Sequence, residues 1–312
     1  MGSKRVAAID CGTNSIRLLV ADLDQATGAE TELERRMLIV RLGQGVDATG
    51  RFADEALART FAACDEYAQV IASYGASELR FVATSATRDA SNREEFFAGV
   101  RSRLGVDPEV ISGDEEASLS FRGATQALAD SAADHATPYL VVDIGGGSTE
   151  FVLGGESVLA ARSVDVGCVR MTERHLRTDP PTLEQITAAR RDIDAAIDLA
   201  AQTVDLAKAK TLVGVAGSVT TLGAIALGLT EYDRSRVHLS AIPVETVRRT
   251  AGDLLAMSHD QRAAIPVIHP GRVDVIAAGG LILAQIMDRL GLPEMIVSEH
   301  DILDGIAYSL LG

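Results

Sequence analysis

The chain has 312 residues, 47% of them hydrophobic and 23% charged, which predicts a globular protein with enough material for two domains. The three cysteines, Cys11, Cys64 and Cys168, lie far apart, which argues against a disulfide framework and a zinc site. A net charge of −15 without a basic run argues against a DNA partner. No stretch of the sequence is long and apolar enough to span a membrane, and we expect a cytoplasmic protein.

The first half of the chain opens on a predicted hairpin. Two apolar strands, over 5–10 and 16–23, flank a glycine-containing turn. The elements expected after it are a strand over 37–42, a helix over 54–74, a strand over 79–83, a helix over 92–104, a short strand at 110–111, a helix from 113 to 128 and a polar, exposed loop over 130–138.

The second half returns to the opening pattern. Strands over 139–143 and 148–153 flank a glycine-rich turn. The elements expected after it are a strand over 158–164, a helix over 183–208, a strand over 211–216, helices over 219–227, 244–258 and 273–290, a strand at 296–297 and a final helix from 301.

The two turns align without a gap as DCGTNS (10–15) and DIGGGS (143–148). Each copy lies between two apolar strands, so the repeat predicts a duplicated β-hairpin domain. We therefore expect two domains, 1–117 and 118–300, with a terminal helix over 301–312 that packs back on the first.

Both turns have the composition of an anion site. A glycine-rich turn exposes backbone N–H groups, and face to face the two turns would clamp one phosphate. The alternative is a pair of tight hairpins without a ligand. A third glycine-rich segment, around Gly217 and Ser218, leads from a strand into a helix, where the helix dipole favours an anion; its alternative is a simple capped turn.

Two further segments carry candidate chemistry. The run ISGDEEA (111–117) places three acids at a helix start, either because acids favour that position or because one of them activates a water. The run ATSATRDASN (83–92) ends a strand in a polar turn, from which Arg88 would bind a phosphate through two N–H groups or pair with Asp89 or another acid.

Taken together, the chain resembles the Ppx/GppA phosphatase family of exopolyphosphatases and guanosine pentaphosphate phosphohydrolases. The matching segments are IDCGTNSIRLLV (9–20), ATSATRDASN (83–92), ISGDEEA (111–117), VVDIGGGSTEF (141–151), GVAGSVTTL (214–222) and, more weakly, GRVDVIAAG (271–279). The resemblance implies the actin-like ATPase (ribonuclease-H-like) α/β fold, with two duplicated domains and a cleft between them. It is a resemblance to a short form that lacks the extra C-terminal helical region.

The resemblance also implies roles for single residues. Glu116 takes the position of the general base, Glu150 is both catalytic and a metal ligand, and Asp143 and Asp10 complete the ligand set for Mg²⁺ or Mn²⁺. The phosphate-binding positions are Thr13, Asn14, Ser15, Arg17, Arg88, Gly145, Gly146, Gly147, Ser148, Gly217 and Ser218.

The function implied is that of an exopolyphosphatase that hydrolyses the terminal phosphate of inorganic polyphosphate, favours shorter chains and acts as a homodimer. The alternative is a phosphohydrolase of guanosine pentaphosphate (pppGpp). Less favoured are a kinase or ATPase, in which Gly279 and Gly280 would support an adenosine, and a non-enzymatic sensor of polyphosphate or an alarmone.

Overall fold

The computed structural model describes residues 2–129 and 135–311, so residues 130–134 of the predicted loop lie outside it. The described chain separates into two compact units. The first runs to Gly123 and takes in the chain from Ile302 onwards, and the second is Ala124–Asp301. The domain division expected at residue 117 stays a prediction, because compact units defined by contacts need not fold independently.

The described residues form α/β structure throughout. The strands are β1 Ser3–Cys11, β2 Ser15–Asp24, β3 Glu30–Ile39, β4 Glu78–Ala83, β5 Glu109–Val110, β6 Tyr139–Ile144, β7 Thr149–Gly154, β8 Val158–Val164, β9 Thr211–Val215, β10 Ala241–Pro243 and β11 Glu294–Val297. The helices are α1 Val46–Thr49, α2 Asp54–Tyr74, α3 Ser85–Asp89, α4 Arg93–Leu104, α5 Gly113–Ala129, α6 Cys168–Arg174, α7 Leu183–Ala201, α8 Ala216–Ala226, α9 Arg234–Val237, α10 Val244–Ala256, α11 His259–Ala263, α12 Ile276–Leu290 and α13 Ile302–Ser309.

The first unit is built on a five-stranded sheet in the order β3-β2-β1-β4-β5. Side chains of β1 alternate between two cores, as the period of a strand requires. Ala7 and Ile9 pack with residues of α2 and α4 on one face, whereas Val6 and Ala8 pack with residues of α13 on the other. The unit therefore covers both faces of its sheet with helices.

The second unit is built on a six-stranded sheet in the order β10-β11-β9-β6-β7-β8. Its first strand, β6, pairs antiparallel with β7 and parallel with β9, just as β1 pairs antiparallel with β2 and parallel with β4. Helices α7, α8, α10 and α12 contribute to one large apolar core. The predicted α/β class and the repeated hairpin are confirmed.

Several predicted boundaries were wrong. The helix expected over 183–208 ends at Ala201 and is followed by a 3₁₀ turn at Leu206–Lys208, because the apolar spacing continues through buried Val204 and hides the end. The strand expected over 37–42 is Glu30–Ile39, an edge strand whose polar residues weaken the pattern. Helix α6 was not predicted, and the turn expected at 85–89 is helical.

Within the described residues, no helix combines the length and the apolar character needed to cross a bilayer.

The contact between α13 and α5 gives a prediction about stability. A Cβ at Gly305 would lie 2.0 Å from the carbonyl oxygen of Leu119, and backbone cannot yield as a flexible side chain does. We expect Gly305→Ala to lower the free energy of unfolding by about 1–3 kcal/mol, the usual cost of overpacking. Urea unfolding followed by far-UV circular dichroism measures it.

Gly252→Ala is the matched control. Gly252 lies inside α10, and a methyl group added there would have nothing within 4 Å, so alanine should be neutral or stabilise the helix by about 0.5–1 kcal/mol. Equal unfolding midpoints for the two variants would show that the close approach at Gly305 does not matter.

Candidate active site

The first turn is held from behind through its carbonyl groups. The turn closes with a hydrogen bond from Gly12 N to Ser15 O at 3.0 Å. The carbonyl oxygen of Asn14 accepts the N–H groups of residues 40 and 41 at 3.1 and 2.9 Å, and that of Thr13 accepts the N–H of Gly43 at 2.8 Å. The segment after β3 therefore fixes the turn.

The second turn has the same closure and a different support. Gly145 N donates to Ser148 O at 3.0 Å. The start of α6 lies behind the turn, where Arg170 donates its backbone N–H to Gly146 O at 3.1 Å and its Nε to Gly147 O at 2.7 Å. In the second unit, the start of α6 therefore binds the carbonyl groups of the turn, as the segment 40–43 does in the first unit.

These bonds leave amide donors available in both turns. Among residues 2–129 and 135–311, the N–H groups of Thr13, Asn14, Gly146 and Gly147 have no hydrogen-bond acceptor. Successive donors in a turn whose carbonyls are occupied form an anion-binding concavity. The geometry of each turn, taken within its own unit, suits one phosphate.

In each hairpin, the strand register places two residues directly opposite each other: the aspartate and the residue seven positions after it. Asp10 pairs with Arg17 across β1 and β2, and Asp143 pairs with Glu150 across β6 and β7. Arg17 donates from Nε and Nη2 to Oδ2 of the buried Asp10 at 2.9 and 2.6 Å. Arg17 therefore lies in an ion pair with Asp10, and its predicted contact with phosphate stays a prediction.

In the second unit, both members of the corresponding pair are acids. Asp143 is 6% exposed and Glu150 is 1% exposed, and Glu150 Oε1 accepts a hydrogen bond from Ser163 Oγ at 2.7 Å. Mg²⁺ is typically held by one or two carboxylates together with substrate phosphates, so this pair of hard oxygen ligands fits it. Like charges on opposed strands also favour a bound cation.

A larger ligand set is not assembled within the part of the chain that the structure describes, which contains no group of three His, Cys, Asp or Glu side chains placed to hold a metal ion. Asp10, predicted as a third ligand, already accepts two hydrogen bonds from Arg17 on one oxygen. Its role toward a metal stays a prediction.

Glu116 lies in the first turn of α5 and is 8% exposed. Burial raises the pKa of its carboxyl group, and the negative charge of Asp10 acts in the same direction. The guanidinium of Arg88 and the hydroxyl of Thr84 favour the charged form and oppose this rise in the pKa. A carboxylate with a raised pKa is suited to accept a proton from water.

Arg88 contacts that carboxylate directly. Its Nη1 donates to Glu116 Oε2 at 2.7 Å and to the carbonyl oxygen of Ile111 at 3.0 Å. The acid that pairs with Arg88 is thus Glu116 and not Asp89. The predicted contact of Arg88 with phosphate stays a prediction. The helical turn α3, in place of the predicted polar turn, gives Arg88 this position.

The third glycine-rich segment joins β9 to α8 through Ala216, which has a φ of 71°, in the left-handed region. Gly217 leaves room for Arg272, since a Cβ there would lie 2.1 Å from Nη2, and Arg272 Nη1 donates to Gly217 O at 3.2 Å. Ser218 is buried, and a Cβ at Gly279 would lie 2.5 Å from its Oγ. Phosphate contacts by Gly217 and Ser218 stay predictions.

Sequence reasoning missed the residues that position the predicted ones. Ser163 donates to Glu150, Arg170 donates to the second turn and Arg272 donates to Gly217 O. Thr84 favours the charged form of Glu116. Thr84 and Arg272 lie inside segments that carried the resemblance, so a contact there was open to prediction. Ser163 and Arg170 depend on tertiary pairing, for which no local pattern is a signal.

Comparison with known proteins places this geometry in a family. A model of the Ppx/GppA phosphatase family matches residues 20–312. The chain is 50% identical over the full length of both proteins to Exopolyphosphatase 2 of Mycobacterium tuberculosis. It is 27% identical to a guanosine-5'-triphosphate,3'-diphosphate pyrophosphatase of Aeromonas salmonicida, over 98% of this chain and 59% of that protein.

Comparison with solved structures also finds members of this family. The crystal structure of an exopolyphosphatase-like protein superposes with a TM-score of 0.96 at 46% identity, covering 99% of this chain and 98% of that one. The expected actin-like fold with two duplicated α/β domains is confirmed.

The burial of Glu116 gives a prediction that needs no substrate. In a ¹³C NMR titration of the carboxyl groups, we expect the pKa of Glu116 to lie above the ordinary glutamate value of about 4.3. Asp22, which pairs with Arg5 at the surface, should shift below its ordinary value in the same titration. Loss of a signal in Glu116→Gln assigns the resonance. An ordinary or lowered pKa for Glu116 would show that the contact with Arg88 outweighs burial and would contradict the prediction.

Proposed function

The chain belongs to the Ppx/GppA phosphatase family, and we propose that it is an exopolyphosphatase that removes the terminal phosphate of inorganic polyphosphate. The observation that carries the proposal is the buried carboxylate of Glu116, held by Arg88 within 2.7 Å and with a raised pKa. The full-length similarity to a protein named an exopolyphosphatase supports the choice of substrate.

Hydrolysis of a terminal phosphoanhydride requires an in-line water and a base. In our proposal, Glu116 accepts a proton from the water while the water oxygen forms a bond to the terminal phosphorus. The bond from phosphorus to the bridging oxygen breaks, and its electrons leave with the shortened chain. Orthophosphate and a chain one phosphate shorter are the products, so atoms and charges balance.

The terminal phosphate needs donors that are in place before it arrives. Each unit has such donors in its own turn: the unoccupied N–H groups of Thr13 and Asn14 in the first unit, and those of Gly146 and Gly147 in the second. Donors of this kind stabilise developing charge without reorganisation. Asp143 and Glu150 would hold Mg²⁺ or Mn²⁺, which when bound offsets negative charge on phosphoryl oxygens.

A guanosine pentaphosphate phosphohydrolase is the alternative, favoured by the 27% identity to the Aeromonas protein. Both substrates end in the same phosphoanhydride, so the turns and Glu116 would serve either one. The higher identity to the exopolyphosphatase, over the full length of both chains, favours polyphosphate.

An ATPase or kinase is less favoured on structural grounds. Gly279 and Gly280, which would support an adenosine, are buried in α12. A Cβ at Gly280 would lie 3.4 Å from Ala251 in α10, and one at Gly279 would meet Ser218. The two glycines therefore allow α12 to pack closely within the second unit, which is a structural reason for their presence.

The proposal is tested by phosphate release from long polyphosphate, short polyphosphate, pppGpp and ATP, measured side by side. We expect polyphosphate to have the highest kcat/KM and ATP the lowest; the predicted preference for shorter chains is read from the same data. Glu116→Gln should bind polyphosphate but lose about 10²–10⁴-fold in kcat, the usual contribution of a general base. Highest activity on pppGpp would support the alternative, and near-normal turnover by Glu116→Gln would remove Glu116 from its role.

Metal dependence gives a separate prediction. Activity should disappear with EDTA and return with Mg²⁺ or Mn²⁺, and Asp143→Asn or Glu150→Gln should raise the metal concentration required for half activity. The control is Asp22→Asn, which removes a surface carboxylate paired with Arg5 and should leave the metal requirement unchanged. Full activity after exhaustive chelation would contradict the assignment.

A further inference from the structure

Within the described residues, the guanidinium of Arg88 donates hydrogen bonds from only one of its three nitrogens. Its Nη1 donates to Glu116 Oε2 and to Ile111 O at 2.7 and 3.0 Å, which occupies both hydrogens of that nitrogen. Among the described residues, its Nε and Nη2 have no acceptor. The side chain is 25% exposed, so part of it is open to solvent.

That unused edge has a defined chemistry. The Nε–H and one Nη2–H of a guanidinium are parallel and match two oxygens of one phosphate or carboxylate. A carboxylate is already bound at Nη1, and the family reaction acts on phosphates. A phosphate is therefore the natural ligand for the remaining edge.

Among the described residues, the hydrogen bond to the Glu116 carboxylate comes from Arg88 in α3. Thr84, which precedes α3, acts on the same carboxyl group by favouring its charged form. A shift of α3 would therefore change the contact of Arg88 with the base and the position of its unused edge together.

We propose that Arg88 is a positioning residue that binds Glu116 through Nη1 and the terminal phosphate through Nε and Nη2, so that one planar group sets the distance between base and phosphate. The proposal rests on the proposed function and deepens it, because a residue predicted only to bind phosphate also acts through the base. Lysine cannot replace it, since an ammonium lacks two rigidly connected edges.

A double-mutant cycle of Arg88→Lys and Glu116→Gln tests the proposal on whichever anhydride the wild type hydrolyses. We expect Arg88→Lys alone to raise KM and to lower kcat by about 10²-fold, the effect of misplacing a reacting group by about 1 Å. In the Glu116→Gln background, Arg88→Lys should still raise KM but leave kcat unchanged, because the base through which it acts is gone. A reduction of kcat by the same factor in both backgrounds would overturn the proposal.

The control is Arg80→Lys. Arg80 donates to Oε1 of Glu115, the acid just before Glu116, at 2.7 Å and lies outside the proposed site. It should change neither kcat nor KM. Thermal unfolding of each variant shows whether it is folded.

A readout without turnover separates this proposal from the proposed function. The Arg88 contact favours the charged form of Glu116, so Arg88→Gln should raise the pKa of that carboxyl group in the ¹³C titration of the substrate-free protein, whereas Arg80→Gln should not. The groups that face Glu116 are Arg88, Thr84 and Asp10, and only the first is changed. An unchanged pKa would overturn the positioning role, whereas failure of the wild type to hydrolyse polyphosphate would overturn the proposed function alone.

Discussion

The register of the two hairpins is the constraint on which the rest of the candidate site depends. A turn of fixed length between antiparallel strands places an aspartate beside the residue seven positions later, and a slip by one residue would send that side chain to the other face. In the first unit that residue is Arg17, and the pair neutralises itself. In the second it is Glu150, and two buried acids lie side by side with Asp143. Equivalent positions of the duplicated hairpin therefore form an ion pair in the first unit and a pair of acids in the second.

Each turn is held by residues outside its own motif. In both cases a glycine allows the supporting segment to approach the turn closely. A Cβ at Gly43 would lie 2.2 Å from Cγ2 of Thr13, and one at Gly167 would lie 2.4 Å from the carbonyl oxygen of Gly146. The two supports are unrelated in structure, since one is an irregular segment and the other the start of α6. Both bind the carbonyl side of the turn, so the amide donors are held in place before a ligand binds.

Local patterns were enough to predict the repeated strands, the helix over 54–74 and the three glycine-rich segments, because alternation and glycine spacing act over a few residues. They were not enough for contacts between distant residues. Arg88 and Glu116 are 28 positions apart, and the parallel pairing of β4 with β5 brings the segments that follow these strands together. For the same reason, α6 was missed: a seven-residue helix that supports a turn has too short a pattern to be recognised.

The pairing of the site arginines bears on how a chain with a net charge of −15 could hold a polyanion. Arg17 and Arg88 each have a carboxylate within 2.7 Å, so neither pair offers a net positive charge to a distant substrate. What Arg88 offers is directed N–H groups at short range, on the edge of its guanidinium that the described residues leave without an acceptor. In the proposed reaction, capture of a phosphate would therefore rely on preorganised donors and on a metal ion held by Asp143 and Glu150, which would add positive charge locally.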